Sequence, residues 1–417
     1  MTRTQRVANV ATSAVLLILL VTVAHGQGGS SYSAFGIGDI RRGVGAQYDA
    51  MAGTSIAMPT AYGINTINPA LLGLATTTRL QASYRFHQHA VSFNGQSLAQ
   101  NNGEIDGVLG MFSVDTAYGF GMMLGLVPIS SVNYASTRTI SRTVDGTTIS
   151  GRSNQIGEGG LSALTFGAGV RPIHRLRFGL SVQALFGTSR YSDQVLIDVS
   201  GYGSVISSST FDLRGVLFRG GVTYDVTDDL LVGAILAGGA NGSTRETRRA
   251  LGIAPGEVFY DTTGVVEIST GLPVTIGIGA SYRSGKFLFG VDLETTDYSG
   301  VTMHPRPDAT FGRSIHASFG VSRPGATQSN APWLDRWGYH GGIGFDQSYI
   351  RVNTATVSDI YGAFGVSFPV GGAAMLDASI QAGIRQASAS NLPSEILGRL
   401  YVSLSIGETW FKPFARD

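Results

Sequence analysis

His87 and His89 stand two residues apart in an alternating stretch, a spacing that puts two imidazoles on one face of a strand and opens a metal site. No carboxylate or third histidine lies near them in the sequence, so the pair reads as polar lining, and no metal or cofactor is expected. Catalytic patterns are missing as well. There is no Gly-x-Ser-x-Gly elbow, no Gly-x-Gly-x-x-Gly and no His-Glu-x-x-His, and Gly285-Lys286 runs into Phe287 rather than the Ser or Thr of a phosphate loop. The absence of cysteine removes a thiol nucleophile, a Cys-ligated zinc and a disulfide framework. The expectation is a protein that is not an enzyme and has no catalytic residue.

A second set of residues carries charge without a catalytic pattern. Arg85, Arg177, Arg219, Arg283, Asp292, Glu294, His316, His340, Asp346, Asp377 and Arg385 occupy the less apolar positions of alternating segments. One reading makes them an ion-pair network bracing the fold. The other makes an arginine, with Arg85, Arg177 and Arg283 as candidates, the anchor of an anionic head group. Pro128 interrupts Leu124-Gly125-Leu126-Val127-Pro128-Ile129-Ser130-Ser131. Proline cannot donate to a strand ladder, so it marks a bulge, an edge or a strand end. It reads either as the border of a lateral gap in a wall or as a plain bulge at a rim. Leu251, Ile253, Val258 and Phe259 are apolar positions in a long connection, suited to catching a hydrophobic solute.

The elements that hold these residues follow from composition and period. Charged residues are 14% of 417, and 58 residues are glycine, against roughly 25% and ~7% in ordinary soluble domains. The net charge of +1 is too small and too balanced for a nucleic-acid binder. Past the first residues no run of 18 apolar residues occurs, so no membrane helix is expected. Alternation runs through the chain instead. Leu176, Phe178, Leu180, Val182, Ala184 and Phe186 interleave with Arg177, Gly179, Ser181 and Gln183, and Ile315, Ala317, Phe319 and Val321 with His316, Ser318, Gly320 and Ser322. The second face is Gly, Ser, Thr and Gln, where a soluble sandwich would show Lys and Glu. Small polar residues suit an enclosed lumen, so the expected fold is all-β, a transmembrane antiparallel β-barrel of about fourteen strands.

The predicted strand cores are 79–93, 104–114, 118–134, 159–171, 175–192, 208–225, 229–242, 273–283, 286–297, 313–323, 336–350, 357–369, 374–387 and 395–407. Short turns alternate with longer connections at 94–103, 135–158, 193–207, 243–272, 298–312, 351–356 and 388–394. The short turns belong on the periplasmic side and the long ones outside. The connection 324–335 is the exception, long on the short-turn side. Trp333, Trp337 and Trp410 all fall near that rim.

The chain opens with Arg3 and Arg6, an apolar run from Val7 to Val23, and the small-x-small site Ala24-His25-Gly26. This reads as a signal peptide over 1–26, cleaved near Gly26/Gln27. Export without membrane helices places the barrel in a bacterial outer membrane, among its lipids. Residues 27–78 do not alternate, and the barrel follows over 79–417 with a short C-terminal tail. Asn68 before Pro69 and Ala70 reads as a helix cap followed by proline at the first helical position. The segment reads as a luminal hatch, or otherwise as a periplasmic tail or cap.

Gly53-Thr54-Ser55-Ile56-Ala57, then Ile67-Asn68-Pro69-Ala70-Leu71-Leu72 before the first strand, resembles the N-terminal hatch of FadL/TodX-type outer-membrane transporters of hydrophobic compounds. Tyr32-Ser33-Ala34-Phe35-Gly36-Ile37-Gly38-Asp39 and the tail Trp410-Phe411-Lys412 resemble the branch common in Bacteroidetes, and the likeness runs from about residue 32 to 412. It implies a 14-stranded barrel, a hatch in the lumen, and passive uptake of hydrophobic small molecules such as long-chain fatty acids through a lateral opening in the strand that carries Pro128. The same superfamily includes PorV-like components of the type IX secretion system, which implies an alternative: a subunit acting through contacts with secretion-system proteins. A purely structural or adhesive barrel is a third, weaker reading.

Overall fold

A strand pairs on both edges, so an antiparallel sheet long enough to meet its own first strand leaves no edge open to lipid. The computed structural model describes residues 29–408 except 61, 145–146, 198–202, 255–256, 304–308, 327, 329 and 372. The signal segment and Trp410-Phe411-Lys412 lie outside the described residues. Among those described, one sheet is built from β1 (Asp39–Ile40), β2 (Thr78–Phe93), β3 (Gln96–Asp115), β4 (Phe120–Val144), β5 (Thr147–Ile173), β6 (Leu176–Ile197), β7 (Ser204–Asp225), β8 (Leu230–Gly239), β9 (Gly242–Ala254), β10 (Glu257–Thr270), β11 (Val274–Ser284), β12 (Phe287–Asp297), β13 (Ala309–Phe311), β14 (Arg313–Arg323), β15 (Gly338–Val352), β16 (Ala355–Gly371), β17 (Ala374–Ala387) and β18 (Ser394–Glu408).

The wall closes where β18 pairs with β2, from Ser394 opposite Ser92 to Glu408 opposite Thr78. β8 and β9 pair in turn with the lower and upper parts of β7, as two halves of one wall strand. β10 and β11 do the same against β9 and β8, and β13 and β14 against β15. With β1 inside, the wall is a closed antiparallel barrel of fourteen strands. Each predicted strand core falls on a wall strand.

The faces divide as the alternation requires. Leu180 is 72% exposed while Ser181 beside it is 2% exposed. Ile278 and Leu80 likewise face out, and Gln81 and Ser83 face in. The outer face is therefore the lipid face. A charge placed there costs ~2–4 kcal/mol at the bilayer midplane. Leu180→Arg is expected to lower barrel stability by that amount in a urea titration in lipid vesicles, whereas Thr263→Arg, on the exposed β10, should shift it by less than ~0.5 kcal/mol.

At the long-connection end the structure departs from the expected loops. Residues 94–103, 135–158 and 243–272 are largely strand, and the β4–β5 ladder runs up to Val144 opposite Thr147. These extensions are rich in Ser, Thr and Arg, with polar residues such as Gln100, Ser153 and Thr244 on their buried side, so the ladder continues after the apolar period stops. At the opposite rim the described part of the exceptional connection is tied down: Trp337 stacks on Phe368 at 5.1 Å, and Ala326 donates to the Asp335 carbonyl at 2.8 Å.

Residues 29–77 lie against the inner face. Ser55 and Ile56 donate to Asp292 at 2.7 and 2.9 Å, Ala46 to Ser403 at 2.8 Å, and Gln381 to the Asp49 carbonyl at 2.8 Å. The inward glycines of the wall give this segment its room. A Cβ on Gly342 would lie 2.5 Å from the Met51 carbonyl carbon, one on Gly169 2.5 Å from the Pro69 carbonyl oxygen, and one on Gly290 2.9 Å from the Met58 sulfur. Much of the glycine excess is the footprint of one segment on the wall.

Candidate functional site: a break in the wall and the cavity behind it

Pro128 stands beside an interruption in the barrel. The β3–β4 ladder ends at Val108 opposite Leu126; above that rung β3 pairs only with β2. Both strands carry a bulge just there. On β3, Ser83 opposes Gly107 and Tyr84 opposes Ile105, which leaves Asp106 as the extra residue, with Gly107 at φ +123°. On β4, Pro128 opposes Ser162 and Ser130 opposes Leu161, which leaves Ile129 extra. The extra residue reverses the alternation: Val127 faces inward before it, and Ser130, Val132 and Tyr134 after it. A bulge bends its strand and increases its twist, so two bulges at one height let adjacent strands diverge.

The N-terminal segment occupies the divergence. β1 pairs with the free edge of β4, Asp39 opposite Ser131 and Ile40 opposite Ser130. Arg41 N–H continues the pairing onto the Ile129 carbonyl at 2.9 Å, and Gly29 N–H meets the Asn133 carbonyl at 2.7 Å. Toward β3 the bridge is a side chain. The Arg41 guanidinium donates to Asp106 at 2.7 and 2.6 Å and to Asp49 at 2.7 and 2.8 Å, and it lies 4.9 Å over the Tyr401 ring. Val44 packs beside Gly107. Above, Gln100 donates across to the Ala135 carbonyl at 2.8 Å.

Behind this stopper lies a cavity of about 180 Å³, whose lining includes Ile40, Arg85, His87, Asn102, Ser131 and Tyr401. Around it charges meet in pairs. Arg385 forks onto Asp359 at 2.7 and 2.8 Å and reaches Asp39 at 2.9 Å. Arg42 meets Asp292 and Glu294 at 3.3 and 3.1 Å, His316 meets Asp346 at 2.5 Å, and His89 meets Glu395 at 3.1 Å. Buried charges persist only when paired, and here many of the pairs join the N-terminal segment to the wall.

The residues singled out from sequence lie in separate places. Arg85 lines the cavity, tied to Glu104 at 2.7 Å. Arg177 forks onto Asp225 and, with the exposed Arg283, lines a different cleft of about 1040 Å³ at the short-turn rim. Asn68 accepts from Ala70 N–H at 3.0 Å and donates to the Ile56 carbonyl at 2.7 Å; Pro69 opens a 3₁₀ helix, Pro69–Leu74. Leu251, Ile253, Val258 and Phe259 lie at the tips of β9 and β10, a strand hairpin where a loop was expected. On that hairpin, outside the bilayer, Arg249 bonds Asp261 and holds its carboxyl below the usual range. Arg41 and Asp106 were not foreseen. The adjacent Asp106-Gly107 inside an apolar strand was the available signal, since an acid beside a glycine in a ladder marks a bulge.

The fold has solved counterparts. The CymD monoaromatic hydrocarbon channel superposes with a TM-score of 0.60 at 14% identity, over 89% of this chain and 99% of that one. The Ralstonia pickettii toluene transporter TbuX gives 0.60 at 16%, over 88% and 98%, and a Pseudomonas aeruginosa FadL homologue gives 0.59 at 11%, over 89% and 99%. At such identities the likeness shows a FadL-like barrel fold. No curated protein sequence matches the chain. The BamG family model matches residues 7–414, a different family name from the one its hatch motifs resemble, and by that match the chain belongs to the BamG family.

Proposed function

We propose that this protein is an outer-membrane channel for passive entry of small hydrophobic or amphipathic molecules, with the divergence between β3 and β4 as the lateral exit. The observation that carries the reading is the end of the β3–β4 ladder at Val108–Leu126, with a cavity directly behind it. A closed barrel gains nothing from letting two neighbouring wall strands part beside lipid, unless something passes there. Size supports the reading: the cavity is about 180 Å³, and an engineered protein cavity of about 150 Å³ accommodates benzene. The channels and transporters of similar fold described above are named for monoaromatic hydrocarbons and toluene, which supports a solute of that class.

In this reading residues 29–77 are the hatch, Pro128 borders the exit, and the Leu251, Ile253, Val258 and Phe259 tips meet the solute first. Of the three candidate arginines, Arg85 is the one that lines this cavity, which supports it as the group that meets a polar end of the solute. Radiolabelled toluene and oleate are the probes, offered to cells that carry the protein in the outer membrane and lack other channels of this kind. Import above the empty-vector level is expected for one of them. Joining Ile105→Cys on β3 to Ile129→Cys on β4 with a short bis-maleimide should reduce it at least tenfold. No import of either probe, or undiminished import through the joined wall, overturns the reading.

A further inference from the structure

We infer that residues 330–337, at the short-turn end of the barrel, form a foot that seats the wall on the nearer lipid leaflet: Trp333 and Leu334 enter the acyl chains and Arg336 holds a phospholipid phosphate. The foot needs the wall to stand in a membrane, and it does not depend on the lateral route. Three features point to it. The first is where this stretch lies. Ser367 and His340 are each 2% exposed and face inward, so their strand neighbours Phe368 and Tyr339 face outward. Trp337 stacks on Phe368, Trp333 meets the Trp337 ring edge-on at 4.6 Å, and the Tyr339 hydroxyl donates to the Leu334 carbonyl at 3.3 Å. Arg323 fastens the turn from the wall, donating to Asp335 at 3.1 Å and lying 5.6 Å over the Tyr339 ring. The connection is thus folded back over the outside of the barrel.

The second is what this folding leaves bare. The 3₁₀ turn Trp333–Arg336 leaves Trp333 54% and Leu334 59% exposed. Ile343 of β15 and Phe364 of β16, farther along the same outward rows, are 64% and 53% exposed. The bare pair therefore continues the lipid face and is not an isolated patch. An indole held out by aromatic stacking is unfavourable in water. It is favoured where a bilayer meets water, with its apolar body among acyl chains and its N–H near the head groups.

The third is unspent donors. Arg336 Nε and Trp337 Nε1 are enclosed without a hydrogen-bond partner. Such donors are nearly always paired, with protein, water or ligand. Among the described residues Arg336 makes no ion pair, whereas Arg323 is committed to Asp335. A cation at the edge of an aromatic cluster that faces lipid matches a phosphate, whose charged oxygens suit the planar guanidinium.

The chain has three tryptophans, at 333, 337 and 410, so Trp337→Phe/Trp410→Phe leaves Trp333 as the single indole and keeps a ring on Phe368. Folded into phosphatidylglycerol vesicles brominated at acyl carbons 6 and 7, this protein should emit at least twofold less than in unbrominated vesicles. Emission that bromine leaves unchanged, as from a turn standing in water or covered by another protein, overturns the foot. Trp410→Phe alone, with both indoles of the foot in place, should be quenched in the same way, and unchanged emission there overturns it too. Native mass spectrometry in detergent with added dioleoylphosphatidylglycerol reads the head group. Arg336→Gln should lower the lipid-bound fraction at least threefold, and Arg175→Gln, an exposed arginine at the same end, should leave it within about 1.5-fold. Equal retention by the wild type and Arg336→Gln, or an equal loss in both variants, overturns the phosphate site. Neither experiment reads import, so failure of the lateral route would leave both results standing.

Discussion

Gly342→Val is expected to expel residues 29–77 from the barrel while Gly362→Val, one rung away on the neighbouring strand, leaves the protein intact. The two glycines look alike in sequence, each within an alternating strand, Gly342 in β15 and Gly362 in β16. They differ in what a side chain would meet. At Gly342 a Cβ lies 2.5 Å from the carbonyl carbon and 2.8 Å from the carbonyl oxygen of Met51, and 2.9 Å from the Ala52 nitrogen. These are backbone atoms of the packed segment and cannot swing aside. At Gly362 nothing lies within 4 Å. Overpacking costs typically 1–3 kcal/mol where side chains can adjust, so about 3 kcal/mol or more is expected against backbone. A valine on the lipid face should be neutral or stabilising by a few tenths of a kcal/mol. Trypsin reads the outcome, because Arg41 and Arg42 are buried behind the wall. The wild type and Gly362→Val should resist cleavage there, and Gly342→Val should be cut while its barrel stays folded. Equal resistance in both variants would mean that the glycine face is not what makes room for the segment.

That contrast also marks where sequence reading succeeds and stops. The wall was legible because lipid imposes a strict rule: every second residue of a spanning strand must be apolar, and Leu176 to Phe186 or Ile315 to Val321 obey it over their whole length. The outer hairpins were not, since β10 is exposed on both faces and β9 carries polar residues on both of its own, buried Thr244 and Glu246 opposite exposed Arg245 and Arg249, with no apolar period to detect. The role of the inward glycines was half legible. Their excess was plain in the composition, but which of them touch the N-terminal segment depends on contacts between residues some 300 positions apart, such as Gly342 with Met51.

The candidate site divides the same way. Pro128 could be flagged because proline lacks a donor wherever it occurs. Its partner bulge at Asp106 could not be aligned with it, because register between β3 and β4 is set by pairing and not by local sequence. Arg41 was passed over because it lies in a stretch without period, and its two carboxylates stand 8 and 65 residues away. Networks that join distant segments leave no spacing to read. The outer-face residues were assignable one strand at a time, and the inner-face chemistry only with the barrel closed.

Arg41→Met should be among the most destabilising single substitutions in the N-terminal segment, and its cost should be largely recovered by removing the acids as well. Asp49 and Asp106 are 4% and 0% exposed, and both forks of the guanidinium are spent on them. Removing one partner of a buried pair costs about 3–5 kcal/mol, because the charge left behind has lost its hydration and gained nothing. Arg85 tempers the loss at Asp106, while among the described residues Asp49 forms its ion pair with Arg41. Replacing a buried ionic group by apolar residues of similar volume is often neutral, so Arg41→Met/Asp49→Leu/Asp106→Leu should return to within about 1–2 kcal/mol of wild type. Arg245→Ala on the outer hairpin supplies the contrast. It breaks a pair with Glu267 in which both side chains are more than half exposed, and should change stability by less than ~0.5 kcal/mol. Urea titrations of the four proteins in lipid vesicles, followed by trypsin sensitivity at Arg42, give the ordering. A triple variant as weak as Arg41→Met would mean that the shape of the arginine side chain, packed over Tyr401, holds the segment rather than its charge. Recovery in the triple variant would tie the closure of the wall to electrostatics, with the Arg41 guanidinium acting as the charge that joins Asp49 of the N-terminal segment to Asp106 of the wall.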